Sequence, residues 1–206
     1  MMRARLFVLA LVALLSLPSL VAAQNSPSEY ATLLAAVKAG NTNIDYTRLR
    51  LSYMDSPEYK QAKDVTKSEK AMTAALDAKN FSEALKNAEI VLTNEYVNMD
   101  AHFVAFVADR ELGATDKAEF HRTVFRGLVD SIRNSGDGKS MEKAWVVIDV
   151  HEEYVMLRVL GFAPSEQSLL NKEGHSFDVM KVKNVEDGTM QTFYFNVDIP
   201  MKHYGI

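Results

Sequence analysis

The sequence of 206 residues contains no cysteine. Disulfide bonds are therefore excluded, and so is lipid attachment at a cysteine next to a cleavage site. A chain of this length can bury a normal hydrophobic core without covalent cross-links. We expect packing alone to hold the fold together, as one domain or as two small halves that pack on each other.

Basic residues are too few for two classes of partner. The chain has 23 Lys and Arg against 27 Asp and Glu, which gives a formal net charge of −4. Nucleic acid requires clustered basic side chains, and an anionic lipid surface requires them too. We therefore expect neither nucleic acid nor a membrane surface among the partners of this protein.

Long apolar runs are absent after residue 23, whereas residues 1–23 contain one. This segment, MMRARLFVLALVALLSLPSLVAA, has a short basic start, an apolar run and small residues before Gln24. That order is typical of a secretory signal peptide, and Pro18 makes a membrane anchor the weaker alternative. We predict cleavage after Ala23. The mature chain would then begin at Gln24, with a net charge of −6 from 21 basic and 27 acidic side chains and no membrane span. We expect it to be exported, either to the periplasm or into the medium.

The apolar spacing divides the rest of the chain into two regions. It is mostly helical from Ser26 to about Val150 and becomes two-fold in the last third. The sequence therefore predicts an α+β fold. A helical region at 24–150 would pack on a small antiparallel β region at 151–206.

Two helical hairpins are predicted in the first region. When the sequence of the first hairpin is shifted by 34 residues, it aligns with the second, and Ala84 coincides with Ala118. Small residues recur where helices approach closely, and this offset matches the length of a tetratricopeptide repeat, about 34 residues. Chance similarity between alanine-rich helices is the alternative. The four predicted helices are Lys67–Ala78, Ser82–Leu92, Asp100–Leu112 and Asp116–Ile132.

Helix signals also occur outside the hairpins. Ser26 is the predicted N-cap of the first helix, with Pro27 at the first helical position and Glu29 completing a capping box. Ser140 is expected to cap a short helix over Met141–Ile148.

The β region is predicted to contain three antiparallel strands. They lie at about 154–159, from Phe177 onward and at 192–199, with a hairpin turn at Asp187-Gly188. A sheet this small is stable only if another element packs on its apolar face. We expect the helices to do so. Strict alternation of apolar residues in the last strand predicts four inward side chains: Phe193, Phe195, Val197 and Ile199.

Seven short segments along the chain carry a resemblance to a known family. They are Asp100-Ala101-His102, the helix with His121, Ser135-Gly136-Asp137-Gly138, Glu152-Glu153-Tyr154, Gln167-Ser168-Leu169, Phe177-Asp178-Val179 and Tyr194-Phe195-Asn196-Val197. In these segments the chain resembles a bacterial envelope family known only as domain of unknown function 4919. The resemblance implies tetratricopeptide-like helices followed by a small β region, and it implies no activity.

Two motifs imitate functional sites but lack essential residues. Gly138-Lys139-Ser140 is similar to the end of a phosphate-binding loop, yet Arg133 stands where that loop needs glycine. His151-Glu152-Glu153 is similar to the start of a zinc-protease motif, yet Val155 stands where the second histidine is required. A plain turn and a solvated strand edge are the simpler interpretations. We expect no nucleotide, no metal and no cofactor.

Two histidines are the best candidates for chemistry. His102 and His121 lie on the two helices of one predicted hairpin, where both could face the β region near Asp100 and Glu153. A histidine pair with a carboxylate can bind metal or carry acid–base chemistry. The alternative, which we favour, is a structural role, in which the two half-buried histidines only pack against their neighbours and form hydrogen bonds.

The sequence therefore favours a non-enzymatic exported protein. Its helical hairpins would present a concave surface to a peptide or protein partner, with the β region closing one end. Asp100, His102, Arg110 and His121 are the candidate binding residues. One alternative is a small envelope hydrolase that uses His102, His121 and Glu153 at the seam between helices and sheet. The other is a structural subunit of an envelope assembly.

Overall fold

The computed structural model describes residues 27–205, so the predicted signal peptide lies outside the described part. The chain has an α+β fold, as predicted, with most helices before the sheet. Across residues 27–205, none of the helices combines the length and the hydropathy that a bilayer span requires. The helices are α1 (Glu29–Lys38), α2 (Tyr46–Tyr53), α3 (Pro57–Gln61), α4 (Thr66–Asp77), α5 (Phe81–Asn94), α6 (Met99–Glu111), α7 (Thr115–Arg133), α8 (Val150–Leu160) and α9 (Asp198–Tyr204). The strands are β1 (Trp145–Val146), β2 (Phe162–Lys172), β3 (His175–Asn184) and β4 (Met190–Asn196).

The two predicted hairpins form, as α4 with α5 and α6 with α7. The hairpins also contact each other, because α6 packs on both α4 and α5. Lys79 and Gly113 adopt positive φ angles of 56° and 80° in the two turns. Ala84 and Ala118 are both buried, at 0% and 2% exposure, which permits close helix approach. Superposition of the two hairpins stays a prediction.

The first helix begins later than predicted. Ser28 is its N-cap, and the Ser28 hydroxyl accepts a hydrogen bond from the Ala31 N–H at 2.9 Å. Pro27 therefore precedes the cap, and Glu29 takes the first helical position, where its charge favours the helix N-terminus. Two serines here can serve as caps, and sequence alone did not distinguish between them; Ser26 lies outside the described residues.

The segment at 154–159, predicted as a strand, belongs to helix α8. The alternation of Val155, Leu157 and Val159 was misleading because Met156 between them is buried as well. Strong end signals favour the helix: Asp149 caps it through the His151 N–H at 2.8 Å, and Gly161 ends it with φ at +77°.

The sheet has four strands in the order β1-β4-β3-β2. Strands β2, β3 and β4 are antiparallel neighbours, and β1 pairs with β4 in parallel. The hairpin turn at Asp187-Gly188 joins β3 to β4, as predicted. The predicted helix over Met141–Ile148 is wrong: a short 3-10 helix at Met141–Lys143 leads into β1 instead.

Several helices share a hydrophobic core with the sheet, whereas α4, α5 and α6 form a second cluster of their own. Tyr30 of α1, Leu49 of α2, Leu128 of α7 and Met156 of α8 pack in the same cluster as Phe195 of β4. The predicted inward positions Phe193, Phe195 and Val197 are buried. Ile199 differs from its prediction, because the strand ends at Asn196 and Ile199 packs on this core from α9.

Candidate functional site

A cleft of about 220 Å³ opens where the start of α4, the connection between α5 and α6, and the start of α8 meet. Tyr59, Val65 and Val97 form part of its apolar wall. Its polar wall is dominated by carboxyl groups. We call it the acidic cleft and define it by its six acidic residues: Asp64, Glu69, Glu95, Asp100, Asp149 and Glu152.

Asn98 holds two of these carboxylates next to each other. As N-cap of α6, Asn98 accepts a hydrogen bond from the Ala101 N–H through Oδ1, at 3.0 Å. Its Nδ2 then donates to Glu69 Oε1 at 2.9 Å and to Glu95 Oε2 at 3.4 Å. Burial raises the pKa of the Glu95 carboxyl, and the nearby Glu69 charge raises it further. A cation that enters the cleft would relieve this repulsion.

Cationic side chains bind the carboxylates on the α8 side of the acidic cleft. His151 Nδ1 lies 2.7 Å from Asp149 Oδ1, and this hydrogen bond raises the pKa of His151 to about 9. His151 is therefore protonated at neutral pH. Arg158 donates a hydrogen bond to Asp100. Glu69 and Glu95 form hydrogen bonds to the neutral Asn98 amide, and the charge of the protonated His151 also acts on both of them.

A buried arginine supports the floor of the acidic cleft. The Arg50 side chain is fully buried and donates to Glu152 Oε2 at 2.7 Å, Ser131 Oγ at 2.8 Å and the Val146 carbonyl at 3.0 Å. Glu152 Oε2 also accepts the Ile148 N–H at 2.9 Å. Burial raises the pKa of the Glu152 carboxyl, while Arg50 opposes that rise. This cluster ties α2, α7, β1 and α8 together.

The acidic cleft opens onto a shallow groove along α4. This groove of about 510 Å³ shares Glu69, Asp100 and His151 with the cleft and continues past Thr73 to Asp77. Nearly all of the side chains that line the groove belong to α4, and Asp100 of α6 and His151 of α8 complete it.

The structure brings His102 and His121 together in a defined arrangement. Their Nδ1 atoms are 3.0 Å apart, and His102 Nε2 lies 2.8 Å from the Tyr96 carbonyl oxygen. A carbonyl only accepts, so His102 Nε2 carries the hydrogen and His102 Nδ1 accepts from His121. Burial lowers the pKa of His102 to about 3 and that of His121 to about 4. Both rings are neutral at neutral pH.

The carboxylate next to this histidine pair is Asp109. Its Oδ2 lies 4.0 Å from His121 Nε2 and makes no hydrogen bond to another described residue. The carboxylates expected there, Asp100 and Glu153, lie elsewhere. Asp100 binds Arg158 at the acidic cleft, and Glu153 faces Asp178 of the sheet. Sequence reasoning missed Asp109, although it follows His102 by two helical turns.

Glu153 is a buried acid on α8, and the solvated strand edge expected for it is wrong. The side chain is fully buried, and its oxygens make no hydrogen bond within the described part of the chain. Burial and the facing Asp178 raise the pKa of Glu153 to about 9. Asp178 in turn accepts from Gln167 Nε2 at 2.6 Å, and Tyr154 donates to Gln167 Oε1 at 2.9 Å.

Arg110 is remote from these groups. It binds its neighbour Glu111 and lies over the Phe106 ring at 5.4 Å. Within residues 27–205, no set of three or more His, Asp or Glu side chains is arranged to hold a metal ion.

A family model described as "Domain of unknown function (DUF4919)" matches residues 17–205, and the chain therefore belongs to that family. The resemblance seen in the sequence is confirmed at this level. Comparison with curated proteins and with solved structures yields no match. Any function must therefore be argued from the site itself.

Proposed function

We propose that this family member is a non-enzymatic binding protein, exported from the cell, whose acidic cleft takes a Lys or Arg side chain of an extended peptide or protein segment. The observation that carries the proposal is the pair Glu69 and Glu95, held on one Asn98 amide in a cleft with an apolar wall. Export rests on the residue pattern at 1–23.

The cleft fits a cationic side chain in size and chemistry. Its volume of about 220 Å³ is below the roughly 300–1,000 Å³ of typical small-molecule sites, so one long side chain suits it better. The stem of Lys or Arg would lie along Val65 and Val97. Its charged end would reach Glu69 and Glu95, where charge-assisted hydrogen bonds are strong, and Tyr59 offers a ring for cation–π contact.

The groove along α4 supports a peptide rather than a free amine. Backbone on either side of the anchoring side chain would continue past Thr73 and Asp77. The acidic wall selects against acidic segments. A net charge of −6 on residues 24–206 would add long-range attraction for a basic partner.

The hydrolase alternative has less support. A general base must come within hydrogen-bond reach of its substrate, but His102 is fully buried with both nitrogens engaged. Only His121 Nε2 remains, opposite Asp109, and the His121 side chain is 16% exposed. This arrangement suits a buried structural network.

The test is binding of short Lys- or Arg-containing peptides by fluorescence polarisation, with peptides carrying Gln at the same position as reference. The variant Glu69→Gln/Glu95→Gln should weaken binding by about tenfold or more, equivalent to about 1.4 kcal/mol. The matched control, Glu173→Gln/Glu186→Gln, removes the same charge from exposed positions and should bind like the parent. Equal affinity for Lys and Gln peptides, or equal losses in both variants, would contradict the proposal.

A further inference from the structure

Strand β2 forms an open edge of the sheet. It spans 11 residues and lies outermost in the strand order. Every residue from Ala163 to Lys172 is exposed, including Leu169 and Leu170 at 49% and 40%. Natural proteins usually protect such an edge by proline, a bulge, charge or short length. Here Pro164 and the adjacent bulge protect only the first third, and from Glu166 onward the strand has neither proline nor a bulge.

The open part of β2 is complementary to itself. In an antiparallel pair related by a two-fold axis at Leu169, each leucine faces its own copy. Ser168 then faces Leu170, Gln167 faces Asn171, and Glu166 faces Lys172. Opposite charges meet at both ends and no like charges meet. From this register we propose that β2 pairs with β2 of a second copy of this chain.

The neighbouring strand strengthens this charge pattern. Lys181 of β3 is the register partner of Glu166 and binds it at 2.7 Å. Pairing of two copies would place Lys172 of the second copy on the other side of Glu166. A row of alternating charges, Lys–Glu–Lys, would thus cross three strands. Glu142 binds Lys172 at 3.6 Å, but both side chains are well exposed, so this contact costs little to exchange.

The proposed pairing stops at a dimer and does not continue into a longer assembly. A two-fold contact uses the same strand on both partners, so the dimer has no free β2 edge. The outer edge that remains is β1, which has two residues and is too short to recruit another chain. The four-stranded sheet would double to eight strands. None of the residues lining the acidic cleft belongs to β2, so the dimer does not depend on the proposed function.

The absence of native cysteine permits a direct test. Leu169→Cys in the purified protein places one thiol at the two-fold axis, where directly opposed Cα atoms lie about 4.5–5.5 Å apart, within the range of a disulfide. Mild oxidation should give a covalent dimer. Val185→Cys, at an exposed loop position, is the matched control and should crosslink at least about tenfold more slowly. Equal crosslinking in both variants, or none in either, would overturn the proposal.

Charge reversal tests the register independently of any crosslink. Glu166→Lys and Lys172→Glu should each raise the dimer dissociation constant in sedimentation equilibrium by at least tenfold, because each creates like-charge pairs at both ends. The double variant Glu166→Lys/Lys172→Glu should restore dimerisation, since opposite charges face each other again. A monomeric parent protein, or a double variant no better than the singles, would overturn the proposed pairing.

Discussion

The Glu153 carboxyl faces the Asp178 carboxyl across the seam between α8 and the sheet, with Glu153 fully buried. The adjacent residue Glu152 binds the buried Arg50 at 2.7 Å. Two neighbouring glutamates on one helix therefore have opposite surroundings. One is held neutral beside a second acid, and the other is paired with a cation.

Glu153→Gln should make the protein more stable in alkaline solution. The pKa of Glu153 is raised to about 9 from an ordinary value of 4.5. The folded state therefore keeps a proton that the unfolded chain releases, and stability falls as pH rises from 4.5 to 9, by up to about 1.4 kcal/mol per unit. Glutamine does not titrate and has nearly the same shape as the protonated acid, so the variant keeps the packing and removes the ionisation.

Urea unfolding at pH 5, 7 and 9 measures this effect. The parent should lose stability across the series, and Glu153→Gln should lose distinctly less. A residual loss above pH 6.5 is expected in both proteins, because the raised pKa of His151 acts in the same direction. Parallel pH profiles for parent and variant would show that Glu153 is ionised in the fold.

Glu152→Gln should destabilise the protein. It leaves the buried Arg50 guanidinium without a counter-charge, which costs about 3–5 kcal/mol. The double variant Arg50→Met/Glu152→Leu removes both charges and should be less destabilised than Glu152→Gln alone. Chemical unfolding at pH 7 checks this order. A double variant that is no more stable than Glu152→Gln would contradict the argument.

The histidine pair should destabilise the fold in acid. The pKa values of His102 and His121 are lowered to about 3 and about 4 from 6.5. The unfolded chain binds protons that the folded state excludes, so stability is lost as pH falls below 6.5. NMR titration should leave the imidazole signals of His102 and His121 nearly unchanged between pH 8 and pH 5. A midpoint near 6.5 for His121 would contradict the burial argument.

Elements marked by a local sequence pattern could be predicted, whereas elements without such a pattern, and contacts between residues far apart in the sequence, could not. The hairpins α4–α5 and α6–α7 follow from a helical periodicity that is sustained through both of them. Strand β2 has no buried side chain after Phe162, which packs on the core, so no alternating pattern marks it in the sequence. Arg50 meets Glu152 across 102 positions of sequence, and nothing near Arg50 distinguishes it from a surface arginine.

The acidic cleft, too, could be predicted only in part from local sequence signals. Asn98 precedes α6 in a typical capping position, which the sequence displays. Its second role, joining Glu69 to Glu95, depends on how α4 packs on α6. The hairpin predicts that His102 and His121 lie close together, but the carboxylates expected beside them were Asp100 and Glu153, whereas the structure places Asp109 there.

Export is tested by the N-terminus of the protein recovered from cells. Small residues at Val21 and Ala23 follow an apolar run, so mass spectrometry of the exported protein should find Gln24 first. Replacing Ala23 with Arg should block cleavage and leave a longer, membrane-associated species. Recovery of the intact chain from Met1 in the parent would contradict the prediction.

The most direct measurement of the proposed binding site follows the side-chain amide of Asn98 in ¹⁵N-labelled protein. Its Nδ2 donates to both Glu69 and Glu95, so a Lys or Arg side chain that reaches these carboxylates must change its NMR signals. We predict that adding a Lys-containing peptide shifts the Asn98 amide signals saturably, while the matching Gln peptide leaves them in place. Shifts confined to residues outside the acidic cleft, or identical shifts with both peptides, would contradict the account.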